Sequence, residues 1–211
     1  MVKQQLHNEL DELLQITRGI LNLYGIIGID ELLRFIFIPN RLDTEERSYL
    51  SSRLLSSTLL KSATQETNNK ELVYVSPLVK NKDYAMSSIK KNKIMYHKPF
   101  APDEIMLAGT LPCVIFKNIY YKNIVLAIET VCSVENDVAI QMVQDIWIML
   151  QNDVKIEDVV SLFFHKYKEE KMIIHSLQDF AKYAPRWKYK GYSLFEIQDF
   201  CCIDRVSLEI N

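Results

Sequence analysis

The sequence predicts a predominantly helical α+β protein: an N-terminal winged-helix-like unit over residues 1–98, followed by a helical array over residues 99–211. Three observations lead there. Leu6, Leu10, Leu13, Leu14, Ile16, Ile20, Leu21 and Leu23 recur at three- and four-residue steps, the spacing of a helix with one buried stripe. The stretch Tyr24-Gly25-Ile26-Ile27-Gly28-Ile29-Asp30-Glu31-Leu32 then reads as a helix-turn-helix opening. Five glycines and six prolines in 211 residues are few, which favours helices over a loop-rich β fold.

The elements follow in order. The first helix spans Val2 to Tyr24 and ends near Gly25, and Ile26 and Ile27 suit a short buried extended segment. A second helix runs from Asp30 to Phe37, with its acids complementing the helix dipole, and stops at Pro39-Asn40. Asp43-Thr44-Glu45-Glu46 offers a cap and acidic first turn for a third helix reaching about Lys61. Thr64 to Lys70 is polar and turn-like, whereas Glu71 to Val75 alternates and is β-branched and aromatic, as strands are. Lys93 to Tyr96 is a second candidate strand. Paired with the first, it completes the order of a winged helix, with Pro77 to Asn92 as a long basic wing.

Pro102-Asp103-Glu104 has the composition of a helix start, and helices are predicted over Lys122–Ser133, Glu135–Gln151, Ile156–Tyr167 and Glu169–Tyr183. The boundary between the two units is expected around Lys98 to Pro102.

Composition removes several classes of function. Lys and Arg total 25 against 27 Asp and Glu, a net charge of −2, so any nucleic-acid site must be a local patch. The cysteines are Cys113, Cys132, Cys201 and Cys202, without a CxxC unit or a histidine at zinc-finger spacing, so neither a disulfide framework nor a metal site is expected. The chain opens on a charged amphipathic helix, and Ile115 to Ile128 carries Lys117, Asn118, Lys122 and Asn123. Neither a secretory signal nor a membrane span is therefore expected, and the reading is a cytoplasmic protein with reduced thiols.

Two clusters are candidates for contact. Lysines 80, 82, 90, 91, 93 and 98 are interleaved with Tyr84, Tyr96 and Phe100, and in a wing such lysines, Lys90, Lys91 and Lys93 among them, would meet phosphates. The bland alternative is a solvated loop. The second cluster runs from Lys182 to Glu196, where Arg186, Trp187 and Tyr189 are residue types that dominate binding hot spots. Its alternative is a C-terminal plug, with Trp187 packed inward, a turn at Gly191, and Ser193 with Glu196 as a capping box.

For catalysis, His97, His165 and His175 stand far apart in sequence, and Glu169, Glu170 and Asp179 are acids that any helical protein supplies. The expectation is a non-enzymatic protein without a cofactor, which binds a protein or nucleoprotein partner as an inhibitor or regulator. The alternatives are a duplex-DNA-binding transcriptional regulator, using the third helix with Arg47 and Arg53 together with the long basic wing, and a small hydrolase or transferase built on His165, His175 and a carboxylate.

Tyr24 to Leu32 resembles the Tyr-Gly-x-Ile-x-x-Asp-Glu-Leu turn of an uncharacterised family found in low-GC Gram-positive bacteria, their phages and mobile elements. That family also closes with a tract like Asn-Asn-Thr-Arg-x-Trp-x-Asn-x-Gly-His-Thr-Pro-x-Glu-Leu. Here Trp187, Gly191 and Glu196 stand in place with Lys190, Ser193 and Ile197 as mild replacements, while Lys182, Tyr183, Pro185, Tyr189, Tyr192 and Leu194 depart. Phe100 to Ile105 is similar to the family's Pro-x-x-Glu-Glu start of its helical half. The resemblance implies an architecture and a phage or mobile-element origin, and no catalytic residue.

Overall fold

A computed structural model describes residues 2–37, 44–66, 72–92, 94–110 and 118–198. Helices dominate: α1 (Val2–Tyr24), α2 (Ile29–Phe37), α3 (Thr44–Leu55), α4 (Thr58–Ala63), α5 (Lys82–Lys91), α6 (Pro102–Thr110), α7 (Ile119–Cys132), α8 (Asn136–Gln151), α9 (Ile156–Phe163) and α10 (Lys171–Tyr183). Strands β1 (Ile26–Gly28), β2 (Thr64–Glu66) and β3 (Leu72–Val75) form one antiparallel sheet in the order β1-β3-β2. The protein is thus α+β and mainly helical. Among the described residues, no helix is long and apolar enough to cross a membrane.

The contacts divide the chain into two units, Met1–Lys82 with Pro99–Val114, and Asp83–Lys98 with Ile115–Asn211. This differs from a single cut after Lys98: α6 belongs with the first unit, and nearly all of α5 belongs with the second.

In the first unit, α1 ends at Gly25, whose φ of 71° is the left-handed conformation that closes a helix. Its N–H donates to the Leu21 carbonyl at 2.8 Å, and its own carbonyl accepts from Ser76 N–H at 2.7 Å, tying the turn to the end of β3. Gly28 has no such backbone requirement, so only one of the two glycines makes the bend. Ile26 opposes Val75 and Gly28 opposes Val73 across the ladder. The core gathers Ile20 and Leu23 of α1, Leu32 and Ile36 of α2, and Leu50 and Leu54 of α3. Tyr24 is buried there between the rings of Phe35 at 5.3 Å and Phe100 at 5.8 Å.

Helix α6 lies directly against α1. A Cβ added to Gly19 would overlap the Ile105 carbonyl, and one at Gly109 the Gln15 carbonyl. The seam is closed by Gln15 Nε2 donating to the Met106 carbonyl at 3.0 Å and Asn22 Nδ2 to the Ala108 carbonyl at 2.8 Å. Both groups would otherwise be unpaired polar atoms beside a packed core.

Several expectations are corrected. The third helix is two helices, because Ser56 Oγ donates to the Arg53 carbonyl at 2.9 Å and Ser57 Oγ accepts from Leu60 N–H at 3.3 Å. The serine hydroxyls end one helix and cap the next. Thr64–Glu66 is a strand, not a turn, since an edge strand is defined by its partner, with Thr64 opposite Tyr74 and Glu66 opposite Leu72. With β1 and β2 on its two edges, β3 has no free edge for Ile94–Tyr96, which is irregular. The stretch read as a wing contains α5. The stop at Pro39-Asn40, Asp43, residues 67–71, Lys93, Cys113, Cys201 and Cys202 lie outside the described residues.

The second unit packs α7 against α8 and α10, with α9 against α8 and α10. Asn118 Oδ1 accepts from Tyr120 N–H at 2.8 Å and caps α7, and Ser133 closes that helix at a φ of 53°. Ile124, Ile128, Val143, Trp147, Leu177 and Phe180 fill the interior. Helix α9 stops at Phe163, and the predicted continuation to Tyr167 is a 3-10 turn, His165–Tyr167.

The seam in the first unit predicts an asymmetry between two glycines. Gly19→Ala should lower the unfolding free energy by about 1–3 kcal/mol through overpacking. Gly28→Ala, whose added methyl meets no described atom within 4 Å, should change it by less than about 1 kcal/mol. Urea unfolding of both variants measures the contrast.

Candidate interaction surface

The C-terminal tract forms a plug inside the second unit. Trp187 is 2% exposed and meets Trp147 edge to face, with centroids 6.2 Å apart. Gln151, itself buried, accepts from Trp187 N–H at 2.7 Å through Oε1 and donates through Nε2 to the Pro185 carbonyl. The Arg186 guanidinium donates to the carbonyls of Leu150 and Ala181, which end α8 and lie in the last turns of α10. Burial pulls its pKa below the ordinary arginine value, with Asp153 and Tyr189 acting in the opposite sense. Trp187 is buried and Arg186 partly so, and both hold helices of this unit together. Tyr189 is half-buried beneath the Lys188 ammonium, 5.3 Å from its ring centre.

The chain then turns on Lys190 and Gly191, at φ values of 51° and 88°, and Ser193 pairs back with Pro185. Helix resumes at 194–198. The capping box is formed: Ser193 N–H donates to Glu196 Oε2 at 2.7 Å, and Glu196 N–H to Ser193 Oγ at 3.2 Å. Phe195 packs on Tyr183 at 4.8 Å, and Tyr183 stacks on Tyr120 at 3.8 Å.

The structure brings the two basic clusters together, although they lie more than ninety positions apart in sequence. Asn92 Nδ2 donates to the Lys188 carbonyl at 3.2 Å, and Lys190 Nζ donates to the Met95 carbonyl at 3.1 Å. Lys98 N–H donates to the Lys190 carbonyl at 2.9 Å, and Lys98 Nζ pairs with Glu196 at 2.5 Å. Further along, Tyr84 OH donates to Asp153 at 3.1 Å, and Asp153 pairs with Lys188 at 2.5 Å. The strip 84–98 is thereby tethered at both ends.

On this strip Lys90 and Lys91 are exposed at the end of α5, on a helix and not on the expected loop, and Lys93 lies outside the described residues. Met95 and Tyr96 are 74% and 73% exposed, the two most exposed large apolar side chains described. Sequence reading missed Met95 because a methionine beside Ile94 and Tyr96 looks like part of a strand. It missed Asp153 and Gln151 because nothing local marks them as anchors of a tract more than thirty positions away.

His175 sits 3.5 Å from Asp179 one turn on in α10, with its side chain 79% exposed, and His165 is exposed in the 3-10 turn. Among the described residues there is no group of three or more His, Cys, Asp or Glu placed to hold a metal ion. Burial raises the pKa of the half-buried Cys132 thiol. No protein-family model matches the chain. No curated protein and no solved structure gives a match either.

The Glu196 carboxyl carries a testable pH dependence. Burial alone would raise its pKa, but the bonds from Lys98 and Ser193 outweigh burial and hold it below the ordinary 4.5. A depressed carboxylate stabilises the fold above its unfolded pKa and loses that contribution as pH falls through the folded value. Wild type should exceed Glu196→Gln by about 1 kcal/mol at neutral pH, a cap-sized effect for a half-exposed group. The two should converge as the medium is acidified past 4.5, measured by urea unfolding across pH.

Proposed function

We propose that this protein is a non-enzymatic interaction protein of the cytoplasm. It would be an inhibitor or regulator of phage or mobile-element origin that binds a protein or nucleoprotein partner through the strip 84–98. The observation that carries this reading is the pairing of exposure with order. Met95, Tyr96, Lys90 and Lys91 face solvent while the backbone beneath them is tied down by Asn92, Lys98 and Lys190. Exposed aromatic and thioether groups on pre-ordered backbone lose little conformational freedom on binding, which is what a contact surface requires. The family resemblance at Tyr24 to Leu32 supports the origin. The absence of catalysis rests on the scattered histidines and acids.

A second reading, a duplex-DNA-binding regulator, is favoured by the first unit. Its order of α1, β1, α2, α3, α4, β2 and β3, with sheet order β1-β3-β2, supports a winged-helix-like reading. Helix α3 exposes Arg47, Ser52 and Arg53, but it also exposes Glu45 and Glu46 at the end that would approach phosphates.

Lysine acetylation of the chain, added to a Gram-positive cell extract and compared with buffer, tests the leading reading. Lys90 and Lys91 should be protected while the exposed Lys122 and Lys171 react as in buffer. Equal labelling at all four would refute it. Fluorescence anisotropy with random-sequence duplex DNA separates the second reading. Binding that falls steeply with salt and is weakened by Arg47→Ala with Arg53→Ala would establish the DNA regulator instead.

A further inference from the structure

Resting on the proposed contact strip, the structure points to the chemistry of its partner: we infer that α5, Asn92 and residues 94–96 dock an acidic protein segment that carries a large apolar side chain between its carboxylates. The helix itself is the first reason. Helix α5 has ten residues and none of them is buried; its inner face, with Ala85, Met86 and Ile89, is only half-covered. A helix so short is marginal in water and draws its stability from tertiary packing, which here is thin on every side. Covering α5 completes packing that the unit's own side chains leave partial.

Charge selects the partner. Lys90 and Lys91 are exposed and have no ion-pair partner among the described residues. The carboxylates nearest the tethers, Asp153 and Glu196, are already matched by Lys188 and Lys98. The strip thus offers two cations without an ion-pair partner among the described residues, a few positions before the exposed Met95 and Tyr96, a pattern complementary to paired carboxylates flanking an apolar anchor. Methionine and tyrosine are enriched in protein interfaces, and the unbranched thioether adapts to an irregular apolar surface.

The same features disfavour a nucleic acid. A single strand needs a cationic groove lined with aromatic faces. Here the two exposed rings, Tyr84 in the first turn of α5 and Tyr96 beyond its end, stand at opposite ends of the strip, and the thioether beside Tyr96 supplies no stacking face.

The test is selection from a display library of short random peptides on the immobilised full-length chain, followed by affinity measurement on the variants. Enriched peptides should combine two or more Asp or Glu with a large apolar residue. Their affinity should fall about tenfold or more in Lys90→Glu with Lys91→Glu, and separately in Met95→Ser with Tyr96→Ser. Circular dichroism melts confirm that both surface variants stay folded. Replacing Asp by Lys in the enriched peptide should restore binding to the lysine-to-glutamate variant. Enrichment of basic or uncharged peptides, indifference to both variant pairs, displacement by a single-stranded oligonucleotide that binds the same residues, or no enrichment at all would each overturn the inference. Protection of Lys90 and Lys91 from acetylation reports that something covers the strip whatever its chemistry, so the two failures are distinguishable.

Discussion

The second unit depends on a partly buried guanidinium. Arg186 reaches the carbonyl of Leu150 at the end of α8 and that of Ala181 in the last turns of α10, while the next residue, Trp187, fills the space against Trp147. A charged group taken out of water is tolerable only if its donors find acceptors, and the ends of helices, where carbonyls lack intrahelical partners, supply them. Gln151 completes the node by holding the backbone on either side, through the Pro185 carbonyl and the Trp187 N–H. These contacts fix where the chain can turn, and Lys190 and Gly191 make that turn in the left-handed region.

Everything proposed for function hangs from that turn. The carbonyls of Lys188 and Lys190, the Lys190 ammonium and the Glu196 carboxylate are the points to which residues 92–98 are tied. The residues with hot-spot character in the C-terminal tract thus act as foundations, and the side chains that meet solvent are supplied by a segment far away in sequence. In the first unit a different constraint governs. There the glycine seam between α1 and α6 sets a close approach that side-chain size would forbid.

Where local chemistry decides structure, the sequence was readable. The bounds of α1, the start of α6 at Pro102 and the capping box at Ser193 and Glu196 follow from apolar period, proline geometry and side-chain caps. The elements that escaped are those defined by partners. Thr64-Gln65-Glu66 has no strand composition and is a strand because β3 lies beside it. Ile94–Tyr96 has strand composition and is irregular, with both edges of β3 already occupied. Helix α5 was hidden because a helix that buries no residue leaves only a weak apolar stripe. At the candidate site, Lys90 and Lys91 were legible as a basic pair. The burial of Trp187 was legible only as an alternative, because the aromatic and basic residues that dominate interfaces are also those that fill cores.

The account's central claim is that the Arg186 node holds the exposed strip in place, and hydrogen exchange of one amide tests it most directly. Lys98 N–H donates to the Lys190 carbonyl. In Arg186→Met, which keeps an apolar stem but removes the donors to Leu150 and Ala181, exchange at Lys98 should accelerate by about tenfold or more while the Gly25 amide at the end of α1 is unchanged. Exchange at Lys98 that matches wild type, with the 186–191 turn itself loosened, would contradict the claim and leave the strip held by its own contacts.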